Sequence, residues 1–283
     1  MTQPGSRPAG ASPGEPGDTG DTGDTGIVVR GVGRTYRDQD GAATVALDGV
    51  ELSVPPGRFV SVIGPSGCGK STLLRMVAGL ERPDVGEVTV CGTTPQRAAE
   101  EKRLGLVPQG PALLPWLSVL GNVALPGKVN RRHNRRPEPD LVALLRRAGL
   151  GDALHLRPAQ LSGGMQQRVA IVRAFGLQPD VLLMDEPFSA LDEFNREAQH
   201  EQLLDLWEQQ GTTVLFVTHS ILEAVRLSDT VVVMAARPGR IVDVVDIDLP
   251  RPRTQELIRS PQFHAYELAL RERLRDAFEQ GVA

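Results

Sequence analysis

With 283 residues the chain can bury a sizeable core, in one compound α/β domain with appendages rather than a small stapled module. Its 31 Lys and Arg against 35 Asp and Glu give a formal charge of -4, which leaves no overall electrostatic case for nucleic-acid binding. Only Cys68 and Cys91 are cysteines, and no apolar run nears the roughly 20 residues that span a bilayer or forms a signal-peptide core, so a soluble chain in a reducing, cytoplasmic setting is expected.

Residues 1–26 are rich in Gly, Pro, Asp, Ser and Thr, with consecutive Asp-Thr-Gly triplets beginning at Asp18, Asp21 and Asp24. This composition predicts a disordered tail. The triplet also occurs in aspartic proteases, but without flanking apolar strands these copies cannot set two carboxylates in a packed site. From Ile27 the pattern changes. Short apolar runs at Ile27–Val29, Val45–Leu47, Leu52–Val54 and Val88–Val90 predict a small, partly antiparallel sheet. Tyr36 follows the first run and precedes a polar loop, where its ring either stacks on a nucleobase or is an ordinary half-buried tyrosine.

The most informative stretch is Gly64-Pro65-Ser66-Gly67-Cys68-Gly69-Lys70-Ser71, a match to G-x-x-x-x-G-K-[ST]. The run Val60–Ile63 before it reads as a buried strand. After it, Leu73, Leu74, Met76 and Val77 fall at helical spacing, so the strand, loop and helix that the motif needs are present. The glycines let successive N–H groups and the helix N-terminus converge on phosphate oxygens. Lys70 can reach the β and γ phosphates, and the Ser71 hydroxyl can ligate Mg²⁺.

Leu104–Val107 predicts another strand. Pro108 lacks an N–H, so this strand end is expected at a sheet edge or already leaving the sheet. Past Gln109 a helical subdomain is expected over about 110–178. The basic loop Lys128–Arg136 reads as solvated. Leu141, Leu144, Leu145 and Ala148 form a helical stripe that Gly149 closes. In Leu161-Ser162-Gly163-Gly164-Met165-Gln166, Ser162 is a helix N-cap, and the glycines leave backbone N–H groups open to an anion.

Val181–Met184 is continuously apolar, as a parallel strand buried on both faces should be, and it delivers Asp185 and Glu186 at its carboxyl end. Asp185 is expected to hold Mg²⁺ and Glu186 to orient or deprotonate a water. Val214–Val217 ends in Thr218-His219, and the capping-box pattern Ser220-Ile221-Leu222-Glu223 opens the next helix. This sets His219 at the same sheet edge as Lys70 and Glu186. Val231–Met234 is the last strand expected.

Together these motifs resemble, over about residues 27–235, the nucleotide-binding subunit of ATP-binding cassette (ABC) transporters. The resemblance implies a P-loop NTPase (RecA-like) core with a small antiparallel β subdomain and an α-helical signature subdomain. It makes Tyr36 the adenine-stacking aromatic and Gly64 to Thr72 the phosphate loop. Gln109 becomes the glutamine that senses Mg²⁺ and the membrane partner, and Ser162, Gly163, Gly164 and Gln166 belong to the signature. Asp192 closes the loop that follows the acidic strand, and His219 is the switch histidine. In this family the signature of one subunit closes over ATP held by the loop of another, so the resemblance implies a dimer binding two ATP molecules with Mg²⁺.

Ala112 to Val123, Ala236-Arg237-Pro238-Gly239-Arg240-Ile241, Pro250-Arg251-Pro252-Arg253 and a terminal helix carrying Phe263, Tyr266, Leu270 and Leu274 resemble the nitrate, sulfonate and taurine importer branch. Residues 236–283 then form a C-terminal extension. That branch implies a separate integral-membrane permease, an indirect solute-binding partner, and a place on the cytoplasmic face of the cell membrane. An importer of another small solute, such as a thiamine precursor, and a soluble non-transport ABC ATPase are the alternatives.

Overall fold

The computed structural model describes residues 26–37, 41–137, 139–189 and 193–279. The expected N-terminal tail, apart from Gly26, and Asp192 lie outside the described residues.

Two sheets organise the molecule. The strands β1 (Ile27–Arg37) and β2 (Ala43–Val54) pair antiparallel. After β3 (Phe59–Ile63) and α1 (Lys70–Val77), the strand β4 (Val85–Val90) joins the other side of β1, giving the order β2-β1-β4. The two runs Val45–Leu47 and Leu52–Val54 belong to the single strand β2. Gly49, at φ +57, lies between them where register shifts against β1 break the alternation.

The second sheet has six strands. They are, in spatial order, β5 (Leu104–Val107), β6 (Val181–Asp185), β7 (Thr213–Val217), β3, β8 (Thr230–Ala235) and β9 (Arg240–Asp246). All neighbours are parallel except β9, which runs antiparallel to β8. As expected, β5 is at an edge and stops before Pro108. The strand β9 was not expected: its apolar pairs Ile241-Val242 and Val244-Val245 break a period of two, and a register shift between Val233 and Met234 absorbs the break.

Every strand from β6 to β8 is apolar on both faces because both faces are covered. Val60, Val62, Leu183, Leu215 and Val232 point to α1 and the antiparallel sheet. Phe59, Leu182, Met184, Val214 and Phe216 point the other way, toward α5 (Gly163–Phe175) and α6 (Glu193–Gln210). No helix was expected over α6, although Leu203, Leu206 and Trp207 lie at helical spacing and are buried.

The short α2 (Pro95–Glu100) precedes β5. Beyond β5, the helices α3 (Val119–Lys128) and α4 (Leu141–Arg147) pack with α5 around Val123, Leu145 and Val172. The basic loop between α3 and α4 is exposed, as expected, but not wholly free: Arg136 joins Arg103 on Asp180, at 3.2 and 2.8 Å. The helices α7 (Ile221–Leu227), α8 (Gln255–Ile258) and α9 (Pro261–Glu279) cover β8, with Phe263 and Leu270 fully buried. Among the described residues no helix is long and apolar enough to cross a membrane. The architecture is that of a P-loop NTPase core with an antiparallel sheet on one side and a helical layer on the other.

Candidate functional site

The loop from Gly64 to Gly69 leaves the carboxyl end of β3 and closes on α1. Gly69 has φ +91, and a Cβ there would lie 2.5 Å from the Leu47 side chain and 2.9 Å from the Ala46 carbonyl, so only glycine fits. Gly67 has φ +77 with open space around it, and it and Ser66 are exposed. Pro65 accepts the N–H of Cys68 at 3.3 Å, tightening the curl. The Cys68 thiol is buried, and burial pushes its pKa up, so it is a neutral part of the wall. Lys70 is also buried. Its Nζ donates to the carbonyls of Gly64 at 2.8 Å and Pro65 at 3.1 Å, which holds the ammonium over the loop.

Three strand ends meet this loop. Ser71 Oγ donates to Asp185 Oδ1 at 3.0 Å, tying the start of α1 to the end of β6. Burial raises the Asp185 pKa; the Ser71 bond opposes the shift, and the charge of Glu186 adds to it. Glu186 follows with φ +43, a left-handed conformation unusual for a residue with a side chain, and its N–H is held by the carbonyl of Val217 at 2.9 Å. The Ser189 hydroxyl donates to the Glu186 carbonyl at 3.0 Å. From the end of β7, His219 Nδ1 comes within 3.1 Å of Glu186 Oε2.

The arrangement has definite chemical capacities. Backbone N–H groups, an ammonium and a helix N-terminus suit phosphate oxygens. A hydroxyl bonded to a carboxylate is a hard-oxygen pair suited to Mg²⁺, which takes few protein ligands when phosphates complete its shell. Among the described residues no group of three or more His, Cys, Asp or Glu is placed to hold a metal ion. A carboxylate beside an imidazole can orient water and accept its proton.

Other expected residues lie apart. Gln109 is exposed just past β5. Ser162 caps α5 by accepting the N–H of Met165 at 3.3 Å, and Gln166 Nε2 donates to the carbonyls of Pro158 and Leu161 at 3.0 and 3.4 Å. None of these bonds reaches the phosphate loop. Ser162 and Gly163 are exposed and Gly164 is half-buried. Tyr36, 37% exposed, donates to Glu81 Oε2 at 2.5 Å and lies 3.5 Å from Thr72 Oγ1. The Arg34 guanidinium sits 5.0 Å from the centre of its ring. Glu81 and Arg34 escaped the sequence reading because their only signal is a charge with no spacing rule.

A family model described as ABC transporter matches residues 47–189. A putative ATP-binding protein of Brucella abortus is 46% identical over 223 residues, which cover 78% of this chain and 84% of that protein. The nitrate import ATP-binding protein of Synechococcus elongatus is 44% identical over 236 residues, covering 82% and 85% of the two chains. A solved dimeric post-hydrolysis state of an ATP-binding cassette, bound to ADP and Pi, is similar with a TM-score of 0.69 at 32% identity, covering 79% of this chain and 100% of that one. With its phosphate loop and paired acids inside or beside the matched span, the chain belongs to the ABC transporter family, as an ATP-binding and ATP-hydrolysing subunit.

Proposed function

We propose that the chain powers import of a small oxyanionic nutrient, as one of two identical ATPase subunits docked on the cytoplasmic face of a separate membrane permease fed by a solute-binding protein. The observation that carries the catalytic part is the junction of Ser71 with Asp185 at 3.0 Å beside Glu186 and His219 at 3.1 Å. The relative named for nitrate import supports an oxyanion, with nitrate as the first candidate and sulfonates or taurine next. The ABC ATPase domain is taken as 27–235, its helical subdomain as about 110–178, and 236–283 as an extension.

In this reading Tyr36 stacks on the adenine, with Arg34 behind the ring. Gly64, Pro65, Ser66, Gly67, Cys68, Gly69 and Thr72 shape the loop. Lys70 neutralises phosphate charge. Ser71 and Asp185, with Gln109 as a further oxygen donor, would hold Mg²⁺, which would supply neutralisation of phosphate charge. Glu186 orients water toward the γ phosphorus and takes its proton as the bond to the ADP oxygen breaks, while His219 steadies that carboxylate. Ser162, Gly163, Gly164 and Gln166, with Asp192, complete the site of the partner subunit. That half-site role accords with the exposure of Ser66, Gly67, Ser162 and Gly163. ATP then favours the closed pair and hydrolysis releases it.

Growth of the native host carrying Glu186→Gln tests the cargo. The expected result is loss of growth on nitrate as sole nitrogen source with normal growth on ammonium. Loss on a sulfonate or taurine as sole sulfur source would move the cargo within the oxyanion class. Normal growth on all of them rejects that class and favours another small solute or a non-transport ATPase.

A further inference from the structure

Ser220 and Glu223 have the sequence of a capping box, in which the acid at the third helical position bonds back to the N–H of the cap residue. Only half of the box is made. The Glu223 N–H donates to Ser220 Oγ at 3.2 Å. The Ser220 N–H instead donates to Thr218 Oγ1 at 3.0 Å, and that hydroxyl donates its own proton to Glu223 Oε2 at 2.5 Å. A threonine hydroxyl is thus inserted between cap and acid, and the bridge it forms spans His219.

The carboxylate is anchored on its other side as well. Glu223 Oε1 lies 3.5 Å from His200 Nε2 and 3.7 Å from Arg196 Nε, both on α6. Burial alone would push the Glu223 carboxyl up. The nearby His200 imidazole, the bond from Thr218 and the Arg196 charge outweigh it and hold the carboxyl below its usual range, while burial pushes His200 down. Glu223 is therefore charged beside a neutral imidazole, at 4% exposure. A capping box needs no buried charge, and burying one is costly unless the charge is used. What it holds is a turn: Thr218 is 1% exposed and fixed to β3 through the Val62 carbonyl at 3.2 Å, whereas the side chain of His219 is 62% exposed. An exposed ring takes its direction from the backbone beneath it.

We propose that Thr218 and Glu223 are positioning residues for His219. The carboxylate orients the Thr218 hydroxyl so that its oxygen takes the Ser220 N–H, and the clamped turn aims the imidazole at Glu186. Because Glu223 also faces α6, the clamp joins the helix after His219 to the helix that begins just past Asp192. The proposal rests on the roles given above to His219 and Glu186.

ATPase kinetics of the full chain test it. Thr218→Val keeps the shape and removes the hydroxyl; kcat is expected to fall at least tenfold with KM for ATP close to wild type, and the thermal midpoint to drop, because the buried Glu223 carboxylate and the Ser220 N–H each lose a partner. Thr218→Ser restores most of kcat. The double variant Thr218→Val, His219→Ala is no slower than His219→Ala alone, because Thr218 acts only through that ring. Should Thr218→Val fold poorly, Glu223→Gln carries the same comparison, with a severalfold fall in kcat. Wild-type turnover in these variants while His219→Ala is slow overturns the proposal, and so does a further tenfold loss in the double variant. Wild-type turnover in His219→Ala removes the role of His219 itself and takes the proposal with it.

Discussion

Asp185 and Glu186 are consecutive half-buried acids at the end of β6, to which the proposed function gives different tasks. The Asp185 carboxyl is raised by burial, so the native chain holds that proton more tightly than the unfolded chain does. Its contribution to stability therefore falls as pH climbs from the ordinary carboxylate range through the raised native value. Asp185→Asn removes that cost and keeps an oxygen for the Ser71 hydroxyl. The nucleotide-free variant is expected to melt about 2 °C higher than wild type at pH 8, with the gap closing toward pH 5, although Mg²⁺-dependent turnover is lost. A lower midpoint at pH 8 contradicts this.

The meeting of Ser71 with Asp185 and of Glu186 with His219 was legible because each residue stands at the carboxyl end of a parallel strand or at the start of the helix that follows one. The Thr218 to Glu223 bridge was not: the sequence at Ser220 and Glu223 reads as an ordinary capping box, and only the tertiary position of β7 beside α6 redirects the acid. The left-handed backbone of Glu186 was equally hidden, since a glutamate carries no sign that it will be held at φ +43.

At the scale of elements, the C-terminal extension acts as a strap. Arg253 is 4% exposed, and its Nη1 donates to the carbonyls of Val225, Arg226 and Ser228 at 2.7, 3.3 and 2.6 Å, which closes the end of α7. Its Nη2 donates to Ile247 and Leu249 at 3.2 and 3.4 Å. Burial, aided by nearby Arg251, lowers its pKa to about 10, so it stays charged at neutral pH. Arg251 adds a bond to Asp229 at 2.9 Å and lies 4.4 Å from the centre of the Trp207 ring. Arg253→Ala is expected to cost about 3 kcal/mol in chemical denaturation, because it leaves buried carbonyls without partners. Arg253→Lys is expected to recover less than half of that, since one ammonium cannot fork to both groups. A wild-type midpoint for Arg253→Ala contradicts the strap. The arginines were visible in the sequence as Pro250-Arg251-Pro252-Arg253, but the carbonyls they bind come from α7 and the segment after β9. The helix α6 was missed for a related reason: charged and amide residues surround its short apolar stripe of Leu203, Leu206 and Trp207.

At the scale of the whole molecule, one chain carries one phosphate loop and one capped signature helix, and the hydrogen bonds of each stay within its own surroundings. That separation is what a site shared between two copies requires. At the level of sequence the pairing is implied by the resemblance to the cassette family, in which one chain carries one copy of each element. The decisive measurement is the light-scattering mass of the Glu186→Gln chain with ATP and Mg²⁺, taken together with its turnover. The expected result is twice the chain mass with ATP, the single-chain mass with ADP, and turnover reduced by roughly 10²–10⁴. A single-chain mass in saturating ATP, or turnover at the wild-type rate, would contradict the ATP-driven pairing and the role of Glu186.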